Sequence, residues 1–383
     1  MIGVIADDLT GAAEIGAIGL RHGLRAEIIR SGRLAAQADL VCVDTDSRSC
    51  TPEAAAKLAT TAARLLKRAG AKWIYKKVDS VLRGQVTAEV EAVMQELRLE
   101  QALVVPANPA LGRTIQNGHY FVRGRPLHKT EFAQDPEYPR RSSQVLRLLK
   151  VPEIFQMRLA NGDRLITTGT IVVGQAQTSA DVLEWAESCD EQTLRVGGSE
   201  FFNALLEKEV PGPMNGNTWS PASTVGCELF VSGSATASAR KFVTAARRRK
   251  TPVFTLPLEL MWGVEFKPAA IEAVAERVVS AFERSSRVIL AVGLPPVRNL
   301  AIARGLSRNL VQIATRVIGR APVTRVFAEG GATAAELVRE MGWPRLTVMR
   351  ELAPGVATLA TGRDDAILLT IKPGSYAWPA RWT

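Results

Sequence analysis

Ile2-Gly3-Val4-Ile5-Ala6-Asp7-Asp8-Leu9-Thr10-Gly11-Ala12-Ala13-Glu14 opens the chain, and its reading decides the fold. Apolar residues run into two adjacent carboxylates, then Thr-Gly, then small residues at helical spacing. The pattern is that of a buried strand that stops at its carboxyl end and turns into a helix. In an open parallel sheet that edge is where ligands sit. Two neighbouring carboxylates there repel each other and lose hydration, so a cation or a hydrogen-bonding substrate is their natural partner. A plainer role, with Asp8 or Thr10 as helix N-cap and Asp7 in solvent, accounts for one of the pair better than for both.

Working outward, strands are expected at 2–5, 25–29, 39–43, 73–77 and 102–105, with helices at 10–22, 52–69 and 84–97. This alternation is the rhythm of a doubly wound α/β domain. Polar residues collect after the strands: Asp7-Asp8, Asp44-Thr45-Asp46-Ser47-Arg48, Lys76-Lys77-Val78-Asp79-Ser80 and Pro106-Ala107-Asn108. Four strand ends loaded in this way describe one lined crevice. From Pro106 to about Arg141 periodicity is lost. The aromatic and charged content there (Tyr120, Phe121, His128, Phe132, Tyr138) fits an ordered lid or the contact of a homodimer.

Weaker elements follow to about Leu206, and Val210–Asn217, rich in Pro, Gly and Asn, is the expected linker. A second alternating unit then begins. Strands are expected at 228–231, 252–256, 288–292, 323–327 and 367–371, and helices up to Arg249, at 299–318 and at 334–341. The expected architecture is two doubly wound, Rossmann-like α/β domains with mostly parallel sheets, residues 1–212 and 213–383.

Composition narrows the function. At 383 residues the chain exceeds one ordinary core. Its 46% hydrophobic and 22% charged residues describe a well-folded protein, not a disordered one. No run of eighteen or more apolar residues appears, so no spanning helix and no membrane partner is expected. With the first strand opening directly, no export signal is expected. Four scattered cysteines (Cys42, Cys50, Cys189, Cys227) with no C-x-x-C argue for a reducing compartment and against a zinc cluster, which makes the cytoplasm the expected location. Net charge is +10, from 48 basic and 38 acidic residues. No helix-turn-helix, zinc finger or interleaved aromatics accompany it, so a small anionic substrate is expected rather than nucleic acid. The run Arg247–Lys250 closes a helix, where the dipole favours positive charge.

Two kinds of site stand out. Lys76-Lys77-Val78-Asp79-Ser80-Val81-Leu82-Arg83-Gly84 places three cations, a carboxylate and a hydroxyl in a strand-to-helix turn. Either Asp79 or Ser80 is simply the N-cap there, or a short anion is held by Lys and Arg on its carboxylate and by Asp and Ser on its hydroxyls. Arg48 could add a bidentate grip. Ser232-Gly233-Ser234, Gly330-Gly331-Ala332-Thr333 and Lys372-Pro373-Gly374 are strand ends with small residues, where backbone N–H groups can approach a phosphate. Neither a P-loop nor a G-x-G-x-x-G fingerprint with its later acidic residue occurs, which weighs against a dinucleotide-dependent oxidoreductase.

The run Ala6-Asp7-Asp8-Leu9-Thr10-Gly11-Ala12 resembles the opening of the four-carbon acid sugar kinase family. The resemblance continues through Thr45–Arg48, Lys76–Gly84, Pro106–Arg113, Val231–Ser234, Gly330–Thr333 and Lys372–Gly374, nearly the whole chain. It implies an N-terminal domain that binds a small sugar acid and a C-terminal domain that binds ATP. The implied reaction is ATP- and Mg²⁺-dependent phosphorylation of the terminal hydroxyl of threonate, erythronate or a 3-oxo-tetronate, between the two domains. Carried over, Asp7, Asp8, Arg48, Lys76, Lys77, Asp79, Ser80 and Arg83 line the acid site. Ser232, Gly233, Ser234, Gly330, Gly331, Thr333, Lys372 and Gly374 hold the nucleotide. Asp8 or Asp7 orients or deprotonates the attacking hydroxyl, Asp8 being preferred because it lies farther past the strand. Three departures stand out. Val81 replaces an expected Thr, Ala332 replaces an expected acidic residue and so would weaken nucleotide or metal binding, and Ser375-Tyr376 replaces a Gly/aromatic ending. Ala332 also leaves open a ligand-binding regulator that has lost catalysis.

Overall fold

The structure, a computed structural model, describes residues 1–32, 38–150, 158–160, 170–210, 226–261, 267–294, 299–362, 367–374, 376 and 378. The chain divides into two compact units, Met1–Gly216 and Asn217–Thr383. Of the break at Val210–Asn217, all but Val210 lies outside the described residues, as does Ser375.

In the first unit β1 (Ile2–Ala6) leads through α1 (Leu9–Arg21) to β2 (Ala26–Ile29) and β3 (Leu40–Asp44). Then come α2 (Pro52–Arg68), β4 (Ile74–Lys77), α3 (Val86–Leu97) and β5 (Gln101–Val105). Strands β6 (Arg113–Gln116), β7 (His119–Val122) and β8 (Arg125–Pro126) form a separate antiparallel sheet, followed by the short α4 (Val145–Leu148). The unit continues with β9 (Arg158–Ala160), β10 (Thr170–Gly174), α5 (Ser179–Ser188), β11 (Thr193–Gly197) and α6 (Ser199–Glu209). Its main sheet runs β2-β3-β1-β4-β11-β5-β10-β9 and is parallel throughout.

Every residue of β1 and β3 is buried, the pattern of strands covered on both faces. From β1 the chain winds one way to β3 and the other way to β4. That reversal is the switch point of the sheet, and Asp7-Asp8 leave the sheet there. Helix starts follow local chemistry: Asp8 caps α1, Thr51 caps α2 with Pro52 at its first position, and Thr178 and Asp181 make a capping box on α5. One expectation is corrected. Neither Asp79 nor Ser80 caps α3, which starts after Gln85 without a side-chain cap. The aperiodic stretch after Pro106 contains the small β6–β8 sheet and three 3₁₀ turns.

The second unit contains β12 (Cys227–Ser232), α7 (Ala237–Arg248), β13 (Val253–Thr255), α8 (Leu258–Met261), α9 (Pro268–Ala281) and β14 (Arg287–Ala291). After these come α10 (Leu300–Ile318), β15 (Val323–Glu329), α11 (Gly331–Glu340), the hairpin β16 (Arg345–Ala353) and β17 (Val356–Ala360), and β18 (Leu368–Lys372). Its strand order is β13-β14-β12-β15-β18-β17-β16, parallel except where β17 pairs antiparallel with both neighbours. The hairpin and α9 escape the sequence pattern. Phe230 and Phe327 stack at 4.2 Å, and Phe242 and Trp378 close an aromatic core around them. Among the described residues no helix is long and apolar enough to cross a membrane.

Gly197 marks the tightest packing beside the first sheet edge. A Cβ there would lie 2.3 Å from the Val105 carbonyl oxygen, and the backbone cannot swing aside. Gly197→Ala should therefore destabilise the protein by about 2 kcal/mol, the usual scale of overpacking. That corresponds to a fall of about 4–8 °C in Tm by calorimetry.

Candidate functional site

The carboxyl edge of the first sheet carries a closed charge network. Asp7 is 2% exposed and Asp8 16%. Arg48, from the loop after β3, donates Nε and Nη2 to the two oxygens of Asp7 at 2.7 and 2.9 Å, and Nη1 to Asp8 Oδ2 at 2.8 Å. Its Nη1 lies 3.7 Å from Asp79 Oδ1. Asp8 also accepts from the Gly11 amide at 2.9 Å and from the Thr10 hydroxyl. One aspartate thus caps α1 while facing the crevice. Burial pushes the Asp8 carboxyl up, but Arg48, Thr10, Lys77 and the Gly11 amide together hold it below the usual range, so it stays ionised.

Asp79 organises the turn after β4. It accepts from the Val81 and Arg83 amides at 3.1 Å each and takes Arg83 as a bidentate partner at 2.9 and 2.7 Å. Burial again pushes its carboxyl up, and Arg83 and Arg48 outweigh that, leaving it well below the usual range. Arg83 reaches on to Asp135 at 2.9 Å. Gly84 has φ +87°, a conformation that L side chains rarely adopt, so the turn beside Arg48 and Asp7 needs glycine at this position.

The two lysines after Tyr75 are anchored on opposite sides of the sheet edge. Successive strand residues face opposite sides. Lys76 turns to α3 and pairs with Glu89 at 3.2 Å, while Lys77 turns to α1 and lies 3.5 Å from Glu14. Each Nζ also donates to the carbonyl of the next residue, at 3.0 and 2.9 Å, and both lysines are buried. They brace the edge from either face. Arg48, expected to grip a substrate carboxylate, is likewise engaged by Asp7 and Asp8. The structure brings Asp7, Asp8, Arg48, Asp79 and Arg83 together, with Ser80 half-buried beside them.

Several members were missed. Glu89 lies on the buried stripe Val86, Glu89, Val90, Val93 of α3, and a carboxylate on an apolar stripe signals a buried cation. Ser47 donates to Glu89. The segment after Pro106 folds onto these loops: Tyr120 donates to the Ser80 carbonyl, Tyr138 to the Arg48 carbonyl, and Arg140 to the Leu82 carbonyl at 2.9 Å. Asp44 ends β3 against Arg30 at 2.9 Å.

In the second unit three loops meet at the carboxyl edge of β12, β15 and β18. A Cβ on Gly233 would fall 1.8 Å from Thr333 Oγ1, and one on Gly374 3.0 Å from Ser234 Oγ. Gly330 sits at φ +103° and its amide donates to the Lys372 carbonyl at 2.9 Å. Helix α11 starts at Gly331 with no acidic residue in its first turn, and Ala332 is exposed. Ser232, Gly233, Ser234, Gly330, Gly331, Thr333 and Gly374 are thus drawn together. Lys372 lies beside them: its Nζ is buried against Glu329 at 2.8 Å and donates to the carbonyls of Pro373, at 3.0 Å, and Tyr376.

Sequence comparison bears directly on this arrangement. A sugar-binding N-terminal domain family matches residues 2–205, and a nucleotide-binding C-terminal domain family matches residues 229–376. The chain belongs to the four-carbon acid sugar kinase family. A 3-oxo-tetronate kinase of Methylobacterium radiotolerans is 27% identical, covering 98% of this chain and 96% of that protein. A D-threonate kinase of Salmonella typhimurium is 26% identical over 97% of this chain and 94% of its own. In fold, the chain is similar to a Salmonella typhimurium crystal structure with TM-score 0.81, 21% identity and coverage of 100% and 97%. A Haemophilus influenzae structure matches with TM-score 0.73, 23% identity and coverage of 98% and 97%.

Asp44 supplies a pH test. Burial pushes its carboxyl up to about 7, against the pull of Arg30, and Asp46 and Asp8 push it further the same way. A carboxyl raised in the folded state binds protons more tightly there than when unfolded, so its contribution to stability falls as pH rises from about 4 to about 7 and is flat above. Asp44→Asn should remove that slope. Urea midpoints of the two proteins, compared from pH 4 to 8, should diverge up to about pH 7 and then run parallel.

Proposed function

We propose that this kinase-family chain transfers the γ-phosphoryl group of ATP to the terminal hydroxyl of a four-carbon sugar acid of the threonate, erythronate or 3-oxo-tetronate type. The observation that carries the reading is the Asp7-Asp8-Arg48-Asp79 constellation at the switch point of the first sheet. It presents one ionised, partly exposed carboxylate, Asp8, on a braced frame. The kinases named above, similar over nearly the full chain, support the substrate class.

In this reading the first unit takes the acid. The side chains of Arg48 and Arg83, 18% and 26% exposed, meet its carboxylate through the N–H groups that Asp7, Asp8, Asp79 and Asp135 leave over, and Ser80 meets a hydroxyl. Phosphoryl transfer passes through a loose transition state in which positioning and charge neutralisation outweigh proton abstraction. A carboxylate held below its usual pKa is a weak base but a good acceptor. Asp8 therefore orients the attacking hydroxyl more than it deprotonates it, and the deeper Asp7 holds Arg48 in place.

The nucleotide binds at the glycine-shaped loops of the second unit. Amides of the first turn of α11 face the phosphates, and Ala332 offers its backbone N–H there but no side-chain oxygen for a metal. Mg²⁺ enters with the nucleotide. Among the described residues no group of three or more His, Cys, Asp or Glu side chains could hold a metal ion, and Mg²⁺ on a nucleotide needs only phosphates, waters and one or two protein oxygens.

The test is ATP-dependent ADP release with a panel of D- and L-threonate, D- and L-erythronate and their 3-oxo forms. Release with at least one acid, absent without acid, is expected. Asp8→Asn should fold, bind both substrates and lose kcat by about 10–10², the scale of one charge-assisted hydrogen bond to the attacking hydroxyl. Binding of acid without ADP release from any of them would make the protein a ligand-binding regulator instead.

A further inference from the structure

At the edge of the second sheet a buried charge cluster has no part in the reading above. Glu329 ends β15 and Lys372 ends β18, side by side in the parallel register. Both side chains are completely buried, with Nζ 2.8 Å from Oε1. Ser232, the last residue of β12, donates its hydroxyl to the other Glu329 oxygen at 2.6 Å. The lysine also donates to the Pro373 and Tyr376 carbonyls and stands 5.4 Å from the centre of the Trp378 ring. An ammonium has three N–H groups. Pro373 and Tyr376 accept two of them, the Glu329 carboxylate stands 2.8 Å away as an ion pair, and the ammonium is fully buried, which keeps it from a phosphate at the surface.

The cluster touches each of the three loops. Glu329 holds Ser232 through its side chain and Gly233 through its carbonyl, at 3.1 Å. The Lys372 carbonyl holds the Gly330 amide, and its ammonium holds Pro373. Gly374 in turn accepts from Thr236 Oγ1 at 3.1 Å, which ties the last loop to the cap of α7. A buried ion pair adds little net stability because desolvation offsets attraction, whereas removing one partner is strongly disruptive. Its main effect here is geometric.

We infer that Glu329 and Lys372 are a positioning pair for the nucleotide: neutral together, they hold the Ser232–Ser234, Gly330–Thr333 and Pro373–Gly374 loops in register without touching the phosphates. The inference rests on the nucleotide site proposed above. Burial lowers the Lys372 pKa and Glu329 opposes that, which keeps the pair mutually dependent.

The experiment is calorimetric ADP binding to the full chain and to Glu329→Gln, Lys372→Met and the double variant, with the KM for the sugar acid measured in parallel. Either single variant leaves a buried charge unpaired beside the loops. Lys372→Met should weaken ADP binding about a hundredfold, the scale of displacing a positioning group by ~1 Å. Glu329→Gln should also weaken it. The double variant, neutral again, should bind ADP more tightly than either single variant, with the KM for the acid unchanged in all three. If Lys372 met the phosphates directly, freeing it by Glu329→Gln would preserve or tighten binding and the double variant would be as weak as Lys372→Met. That outcome overturns the inference. Unchanged ADP binding in every variant also overturns it, reducing the pair to a structural one. Should Lys372→Met fail to fold, the order of Glu329→Gln and the double variant decides in the same way. Failure of the unsubstituted protein to bind ADP would instead overturn the nucleotide reading itself.

Discussion

The guanidinium of Arg48 between the carboxylates of Asp7 and Asp8 is the interaction on which the rest of the first unit depends. A parallel sheet delivers β1 to a buried edge, and the two acids that follow it would repel each other there. Arg48 meets Asp7 bidentately and Asp8 through a third N–H, and lies near Asp79 as well. The other features hold that arrangement in place. Gly84 allows the left-handed turn beside it, Tyr138 fixes the Arg48 backbone, and Lys76 and Lys77 brace β4 from opposite faces. One aspartate is left partly open to solvent and firmly ionised, a state suited to accepting a hydrogen bond from a hydroxyl.

Both units use the same device. At the carboxyl end of a buried parallel strand a lysine folds back onto the carbonyl of the next residue and pairs with a buried glutamate: Lys76 with Glu89, Lys372 with Glu329. In each case the cation ties the strand end to a neighbouring element. Beyond the strand ends lie Asp8, Arg48 and Arg83 in one unit and small residues in the other.

The fold was legible because its strands are continuous apolar runs ending in polar clusters, a pattern set by burial on both faces. The β1, α1, β3 and α10 spans were read within a residue or two of where they lie. The β16–β17 hairpin was not. It has partly exposed faces and mixed composition, so neither a period of two nor a continuous run marks it. The residues that gather at the edge of the first sheet were legible as a set, but their partners were not. Lys76, Lys77, Arg48 and Lys372 look free in sequence because Glu89, Glu14 and Glu329 are far away along the chain or on another element. Only packing shows which cations are already matched. Glu89 alone left a trace, a carboxylate on an apolar helical stripe.

The central claim is that Arg48 serves the aspartate pair, and a double-mutant cycle tests it most directly. Urea unfolding of the wild type, Asp7→Asn, Arg48→Met and the double variant gives the coupling between the two residues. Arg48→Met alone should lose about 3–5 kcal/mol, the scale of leaving buried charge unpaired. Adding Asp7→Asn should recover about 1–3 kcal/mol of it as interaction energy. Additive losses, with no coupling between positions 7 and 48, would contradict the account.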